Sequence, residues 1–221
     1  MLFQNLSNFK KNIAIFDNEK KIYYGDLVKD SKELKKKFQK KNRNLCFLLS
    51  ENSTAFIKIY ISLIELNYVI VLIDFNISPK NLKKLINDYR PNFIIVPQKK
   101  KLMIKKKIFF KYFYYLIFKN ETFLHKLNKE LMMLLPTSGT TGSSKMVMLS
   151  KENIYKNSRD IIKYLSLSKN HVALANLPFH YSYGLSILNT HLLSGAKIFL
   201  QKSSIISKEF KDLFLAKKIN C

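Results

Sequence analysis

Residues Thr137-Ser138-Gly139-Thr140-Thr141-Gly142-Ser143-Ser144-Lys145 concentrate the chemistry that holds phosphate. The chain has five glycines, and Gly139 and Gly142 place two of them three positions apart. Glycine lets a backbone turn tightly and approach a ligand closely. Successive N–H groups in such a turn form an anion-binding nest. The hydroxyls of Thr137, Ser138, Thr140 and Thr141 add donors, and Lys145 adds a point charge suited to phosphate. Each residue alone would serve in a generic turn. Together they predict a loop that wraps a polyphosphate.

The spacing excludes the commonest nucleotide loop, G-x-x-x-x-G-K-[ST] opening a helix. Gly139 and Gly142 stand too close, and Lys145 falls three residues past the second glycine. Leu131-Met132-Met133-Leu134-Leu135 precedes the loop and Met146-Val147-Met148-Leu149 follows it. Both are apolar runs of strand length. The loop is therefore predicted to join two strands, with a helix beginning later, near Ser150.

At this point the residues match a pattern. T-S-G-T-T-G-x-x-K followed by V-x-L-S resembles the phosphate loop of the adenylate-forming (AMP-binding) superfamily, which includes acyl-CoA synthetases, luciferases and peptide-synthetase adenylation domains. Leu177-Pro178-Phe179-His180-Tyr181-Ser182-Tyr183-Gly184-Leu185-Ser186 resembles that family's acyl-substrate motif, at about the expected distance after the loop. Tyr23-Tyr24-Gly25-Asp26-Leu27 and Leu63 to Asp74 are similar to two of its earlier segments. Departures exist. The family loop usually reads G-x-P-K-G, whereas Ser144 replaces the proline and Met146 the last glycine. Many relatives carry histidine where this chain has Tyr181, and His180 stands one residue earlier.

The resemblance implies an α/β fold, the N-terminal part of an adenylate-forming ligase large domain, with a mostly parallel sheet flanked by helices and incomplete. It implies that residues 1–221 form a partial adenylation domain. It implies an ATP-dependent ligase, acyl-CoA synthetase-like, in which a carboxylic acid becomes acyl-AMP and then passes to CoA or a carrier-protein pantetheine. Thr137, Ser138, Gly139, Thr140, Thr141 and Gly142 would hold the β- and γ-phosphates. Lys145 would neutralise charge on the departing pyrophosphate, and Thr137 would face Mg²⁺. His180, Tyr181 and Gly184 would line the substrate site, with Lys145 and His180 as the catalytic pair. The family's adenine, ribose and C-terminal lysine motifs lie beyond these two motifs. Their absence predicts a fragment that is weak or inactive alone.

The elements that must position these residues are legible as a periodic pattern. Ile13 to Phe16 and Ile22 to Tyr24 read as a hairpin, and Asp26 as the cap of a helix carrying Leu27, Leu34 and Phe38. Leu45 to Leu49, Val69 to Ile73 and Phe93 to Val96 read as buried strands. Between them fall helices capped by Ser53 and by Ser78-Pro79. Ser150 opens another helix, Val172 to Leu177 is a strand, Gly195 closes a further helix, and Ala196 to Leu200 is a strand. Continuous apolar strands alternating with helices predict a parallel sheet covered on both faces, with ligands at the carboxyl ends of the strands. Ser207 to Lys218 reads as an amphipathic helix.

The net charge is +24, from 39 lysines and arginines against 15 acids. Only three of the 39 are arginine, the residue of choice for bidentate phosphate and base contacts, so no nucleic-acid partner is expected. Lysine, asparagine, isoleucine and the aromatics abound while glycine is scarce, the drift of an AT-rich coding sequence. The lysine-rich run at 99–107 before Ile108 to Phe118 is read as a solvated loop before a buried strand, with peripheral membrane contact open. The apolar run is too short to span a bilayer and contains Lys111. Two cysteines and no signal-peptide pattern suit a reducing cytoplasm, and the four histidines lack metal-ligand spacing. The alternatives to a ligase are a non-enzymatic nucleotide-binding module and a basic module that binds membrane or nucleic acid.

Overall fold

The computed structural model describes residues 2–17, 20–38, 43–120, 125–136, 145–200 and 219–220. β1 (Ile13–Asp17) and β2 (Lys20–Tyr23) pair antiparallel, as the sequence predicts. α1 (Tyr24–Lys37) begins two residues before Asp26. Asp26 still caps it, from inside the first turn, because its carboxylate accepts the Tyr23 N–H at 2.9 Å.

Strand and helix then alternate: β3 (Leu45–Ser50), α2 (Thr54–Glu65), β4 (Val69–Asp74), α3 (Pro79–Tyr89) and β5 (Phe93–Pro97). The caps are those predicted. Ser53 accepts from the Phe56 N–H and Ser78 from the Asn81 N–H, each at 3.2 Å. The lysine-rich run is a 3₁₀ helix, Gln98–Met103. Beyond it, β6 (Ile108–Tyr112) and β7 (Tyr115–Lys119) make an antiparallel hairpin where one buried strand was expected. β8 (Leu131–Pro136), β9 (Met146–Ser150), α4 (Lys151–Tyr164), β10 (Val172–Ala175), α5 (Ser182–Ser194) and β11 (Lys197–Leu200) follow.

The strands divide between two sheets. The larger has the order β6-β7-β5-β3-β4-β8-β9, and the smaller β10-β11-β1-β2. β5, β3, β4 and β8 run parallel, as do β10, β11 and β1. The edge strands β6, β9 and β2 are antiparallel to their neighbours, and β7, between β6 and β5, is antiparallel to both. The two-residue turn Phe113-Tyr114 can return β7 only antiparallel to β6.

One core lies between the sheets. It joins Cys46, Leu48, Ile70, Leu72 and Met133 of the larger sheet to Phe56 and Tyr60 of α2, Leu188 of α5, and Ile198 and Leu200 of the smaller sheet. A second core covers the opposite face of the larger sheet, where Phe47, Val71 and Ile94 meet Leu82, Leu85 and Ile86 of α3. Every residue of α2 from Ala55 to Ile64 is buried, including Lys58. Its ammonium pairs with the Asp30 carboxylate of α1. An unpaired ammonium there would cost several kcal/mol, roughly, in lost solvation.

Candidate functional site

The carboxyl ends of β3, β4 and β8 open on the same edge of the larger sheet. Ser50 and Asp74 end β3 and β4 in register, and Pro136 ends β8 beside β4. Open parallel sheets bind ligands along this edge. The predicted phosphate residues Thr137, Ser138, Gly139, Thr140, Thr141 and Gly142 lie outside the described residues. Their flanks are described: β8 and β9 pair antiparallel with Pro136 opposite Met146, so the loop joins two strands of a hairpin. Lys145, exposed, stands immediately before β9. Met146, in place of a family glycine, turns its side chain into the second core. Ser150 then caps α4, accepting the Asn153 N–H at 3.0 Å while Asn153 Oδ1 accepts the Ser150 N–H.

The second motif reaches this edge from the smaller sheet. It follows β10, two residues shorter than the predicted strand, and leads into α5. Asn52, between β3 and α2, fastens it. Its Nδ2 donates to the Ala175 carbonyl at 3.1 Å and the Leu177 carbonyl at 2.8 Å. Its Oδ1 accepts the Phe179 N–H at 3.2 Å. One side chain thus ties the carboxyl ends of the two sheets together. Sequence reading missed Asn52. The only signal is its place in the polar triplet Glu51-Asn52-Ser53 between an apolar strand and an apolar helix.

Phe179 is buried and stacks on Phe56 of α2 at 5.5 Å between ring centroids. His180 is 6% exposed, and neither ring nitrogen has a hydrogen-bond partner. Its Nε2 lies 3.8 Å from Asp74 Oδ1, beyond hydrogen-bond reach. Burial lowers the His180 pKa more than the Asp74 carboxylate raises it. The imidazole is therefore neutral at neutral pH, with one nitrogen a donor and the other an acceptor. The Tyr181 ring, half exposed, sits 4.2 Å from the imidazole, and its N–H donates to the Pro178 carbonyl at 3.1 Å.

Gly184 is buried in the first turn of α5. A Cβ there would stand 2.4 Å from the Pro178 oxygen and 2.8 Å from the Leu177 oxygen. Its geometry is that of a packing residue, which lets the helix close against the motif backbone.

Ser50 Oγ and one Glu51 carboxylate oxygen are also buried without a partner, so four of the six such atoms among the described residues lie at the end of β3 and at His180, the others being Tyr112 Oη and His191 Nε2. Such atoms mark a place where polar ligand atoms complete the bonding. Glu51 spends its other oxygen on Lys99, at 2.7 Å. Lys99 and Lys100 stack over Phe75, next to Asp74, at 4.3 and 4.5 Å from the ring centroid. The candidate site is therefore the edge formed by Ser50 to Asn52, Asp74 and Phe75, Lys145, and Pro178 to Tyr181.

Comparison with known proteins bears on this geometry. The family model described as AMP-binding enzyme matches residues 2–220. No curated protein matches the chain. Among solved structures, O-succinylbenzoate coenzyme A synthetase (MenE) from Bacillus subtilis in complex with AMP is similar with a TM-score of 0.76 at 16% identity, covering 100% of this chain and 60% of that one. The same synthetase in complex with ATP and magnesium ion is similar at 0.74 and 17% identity, covering 99% and 61%. ATP-bound MatB from Rhodopseudomonas palustris is similar at 0.76 and 19% identity, covering 97% and 47%. The chain thus spans about half to three-fifths of these proteins. At such identities the likeness shows the fold, which is the N-terminal portion of adenylate-forming enzymes. The family match extends over nearly the whole chain, and it carries the conclusion: this chain belongs to the AMP-binding enzyme family.

Proposed function

We propose that the chain carries the phosphate-loop and acyl-motif portion of an ATP-dependent ligase that converts a carboxylic acid to acyl-AMP. One observation carries this reading. Pro136, at the end of β8, and Lys145, just before β9, flank the Thr/Ser/Gly-rich stretch at the sheet edge where Asn52 binds the backbone of Ala175, Leu177 and Phe179, next to His180 and Tyr181. In the reaction a carboxylate oxygen of the acid bonds to the α-phosphorus of ATP. The bond from that phosphorus to the β-bridging oxygen breaks, and pyrophosphate leaves with both electrons. The acyl carbon next bonds to the sulfur of a thiol, CoA or a carrier-protein pantetheine, and AMP leaves.

The residues fit polyphosphate. Thr137, Ser138, Gly139, Thr140, Thr141 and Gly142 supply hydroxyls and close backbone approach for the β- and γ-phosphates. Lys145 supplies the charge that offsets the leaving pyrophosphate. Thr137 would hold Mg²⁺, which would supply further positive charge to the leaving pyrophosphate. Neutral His180 and Tyr181 meet the reacting carboxylate, and a neutral imidazole can donate to it without competing for the metal's charge. A fatty-acid-type substrate and a cytoplasmic setting are the finer forms of this reading. A non-enzymatic nucleotide-binding role is the second reading; polar atoms of Ser50, Glu51 and His180 left for a ligand suit either.

Replacing Lys145 with alanine tests the site. ATP affinity is expected to fall by about 1–3 kcal/mol, the loss of one charge-assisted contact. Lys99 and Lys100 are unsuitable controls, because they stack on Phe75 beside Asp74. Neutralising Lys105, Lys106 and Lys107 together is the better control and should leave affinity nearly unchanged. Equal losses in both variants would assign ATP binding to diffuse charge. The 221-residue chain alone, spanning about 60% of the synthetase, is expected to give little pyrophosphate exchange over a panel of carboxylic acids. Robust exchange would refute that part of the proposal.

A further inference from the structure

We propose that residues 98–107 form a docking surface for the anionic face of a lipid bilayer. The segment runs as the 3₁₀ helix Gln98–Met103 and then extended chain to β6. Met103 and Ile104 turn inward and pack on the second core, which fixes the segment against the larger sheet. Leu102 points the other way and is 93% exposed. Lys99, Lys100 and Lys101 precede it, and Lys105, Lys106 and Lys107 follow. A single exposed leucine is ordinary on a protein surface. Here it stands at the crest of an anchored segment between two lysine triplets, the arrangement of a segment that lies in a membrane interface.

The charge here is dense and surrounds an exposed apolar side chain. No acidic residue occurs between Asp88 and Glu121, whereas eight lysines and Arg90 do. The stretch from Leu34 to Ser50 is also free of acids and carries five lysines and Arg43, but its apolar Leu34, Phe38 and Leu45 are buried, whereas Leu102 is exposed between its lysines. Composition drift raises lysine throughout the chain, but it does not account for Leu102, exposed between two lysine triplets on a segment that Met103 and Ile104 anchor. The ammonium groups of Lys99 and Lys100 lie over the Phe75 ring, which holds their side chains in place. Lysine without arginine disfavours base or phosphodiester readout and suits the diffuse attraction of a negatively charged leaflet. Among the described residues no helix is long and apolar enough to cross a membrane, so the contact is peripheral. The proposal is tested apart from the ligase reading through Leu102, Lys105, Lys106 and Lys107, which lie away from the candidate site, whereas Lys99 pairs with Glu51 and borders it.

The test is co-sedimentation of the 221-residue chain with vesicles of phosphatidylcholine alone and of phosphatidylcholine mixed with phosphatidylglycerol. Binding is expected only to the mixed vesicles and should weaken with added salt. Each lysine near such a surface contributes about fivefold in affinity, so Lys105→Gln, Lys106→Gln and Lys107→Gln together should weaken binding on the order of 100-fold. The control removes equal charge from exposed Lys29, Lys32 and Lys36 of α1, on the opposite side of the larger sheet, and should lower binding by less than about threefold. Leu102→Ser should lower it by about tenfold without affecting the fold, since the side chain is exposed. Equal losses from the two lysine triples would overturn the proposal, as would no binding to mixed vesicles. So would a short DNA duplex that binds through the same three lysines more tightly than the vesicles do.

Discussion

His180 Nε2 and Asp74 Oδ1 face each other at 3.8 Å across the junction of the two sheets. Asp74 ends β4 of the larger sheet, and His180 follows β10 of the smaller. The carboxylate favours an imidazolium, burial opposes it, and burial prevails. The polar centre of the candidate site is thus an uncharged ring beside a carboxylate, at the seam where the two motifs meet.

This balance predicts a pH dependence. His180 and His191 both have pKa values below the ordinary 6.5, chiefly through burial, and for His191 the value falls to about 4. Between these values the unfolded chain binds more protons than the folded one, so stability rises with pH. The contribution is complete above about pH 6.5 and is lost as pH falls toward 4. For His191 alone the loss amounts to about 3 kcal/mol. Urea denaturation across that range should show the decline, and His191→Gln should flatten it while keeping a donor for the Ile187 carbonyl. Asp74→Asn removes the group that favours the charged ring, so NMR titration should find His180 shifted further down. A His180 pKa that rises in Asp74→Asn would contradict the electrostatic account.

Gly184 predicts a steric effect with an internal comparison. Alanine there would bring a carbon to 2.4 Å from the Pro178 oxygen, a backbone atom that cannot swing aside. Gly184→Ala should destabilise the fold by about 1–3 kcal/mol and displace the motif from Pro178 to Tyr181. Gly25 also lies in a helix, but its nearest atom to an added Cβ is the Lys10 oxygen at 3.1 Å. Gly25→Ala gains helix propensity against a milder contact, so its change in thermal midpoint should be much the smaller.

The local signals were legible because local chemistry sets them. Ser53, Ser78 and Ser150 cap the helices that their positions announce, and Gly195 ends α5 at a φ of 72°. The place of residues 137–144 between two strands followed from their two apolar flanks. The β6–β7 hairpin did not follow from sequence, because its turn carries no glycine, asparagine or proline. Phe113 holds a φ of 49° there, with the Lys58 ammonium 5.0 Å from its ring. Nor could periodicity assign strands to two sheets. Runs such as Val69 to Ile73 and Lys197 to Leu200 look alike, and only long-range pairing with β3 or with β1 separates them. The likeness of Gly184 to a substrate residue was equally silent on the carbonyls it packs against.

Asn52 was invisible for the same reason, since its three partners lie more than 120 positions away. Its loss is therefore the sharpest test of how the two sheets make one site. Asn52→Ala removes three hydrogen bonds to the backbone of Ala175, Leu177 and Phe179, a destabilisation of about 1–3 kcal/mol after water enters. Asn52→Asp keeps the acceptor for Phe179 but sets a carboxylate against the Ala175 and Leu177 carbonyls. It should therefore be the more damaging of the two. Hydrogen exchange resolves the consequence: the Phe179 and Tyr181 amides should lose protection in both variants, while amides of β3 and β4 keep theirs. If protection is lost uniformly across both sheets, Asn52 holds up the whole fold. Selective loss at the motif makes it the residue that positions His180, and ATP binding through Lys145 should then survive in Asn52→Ala.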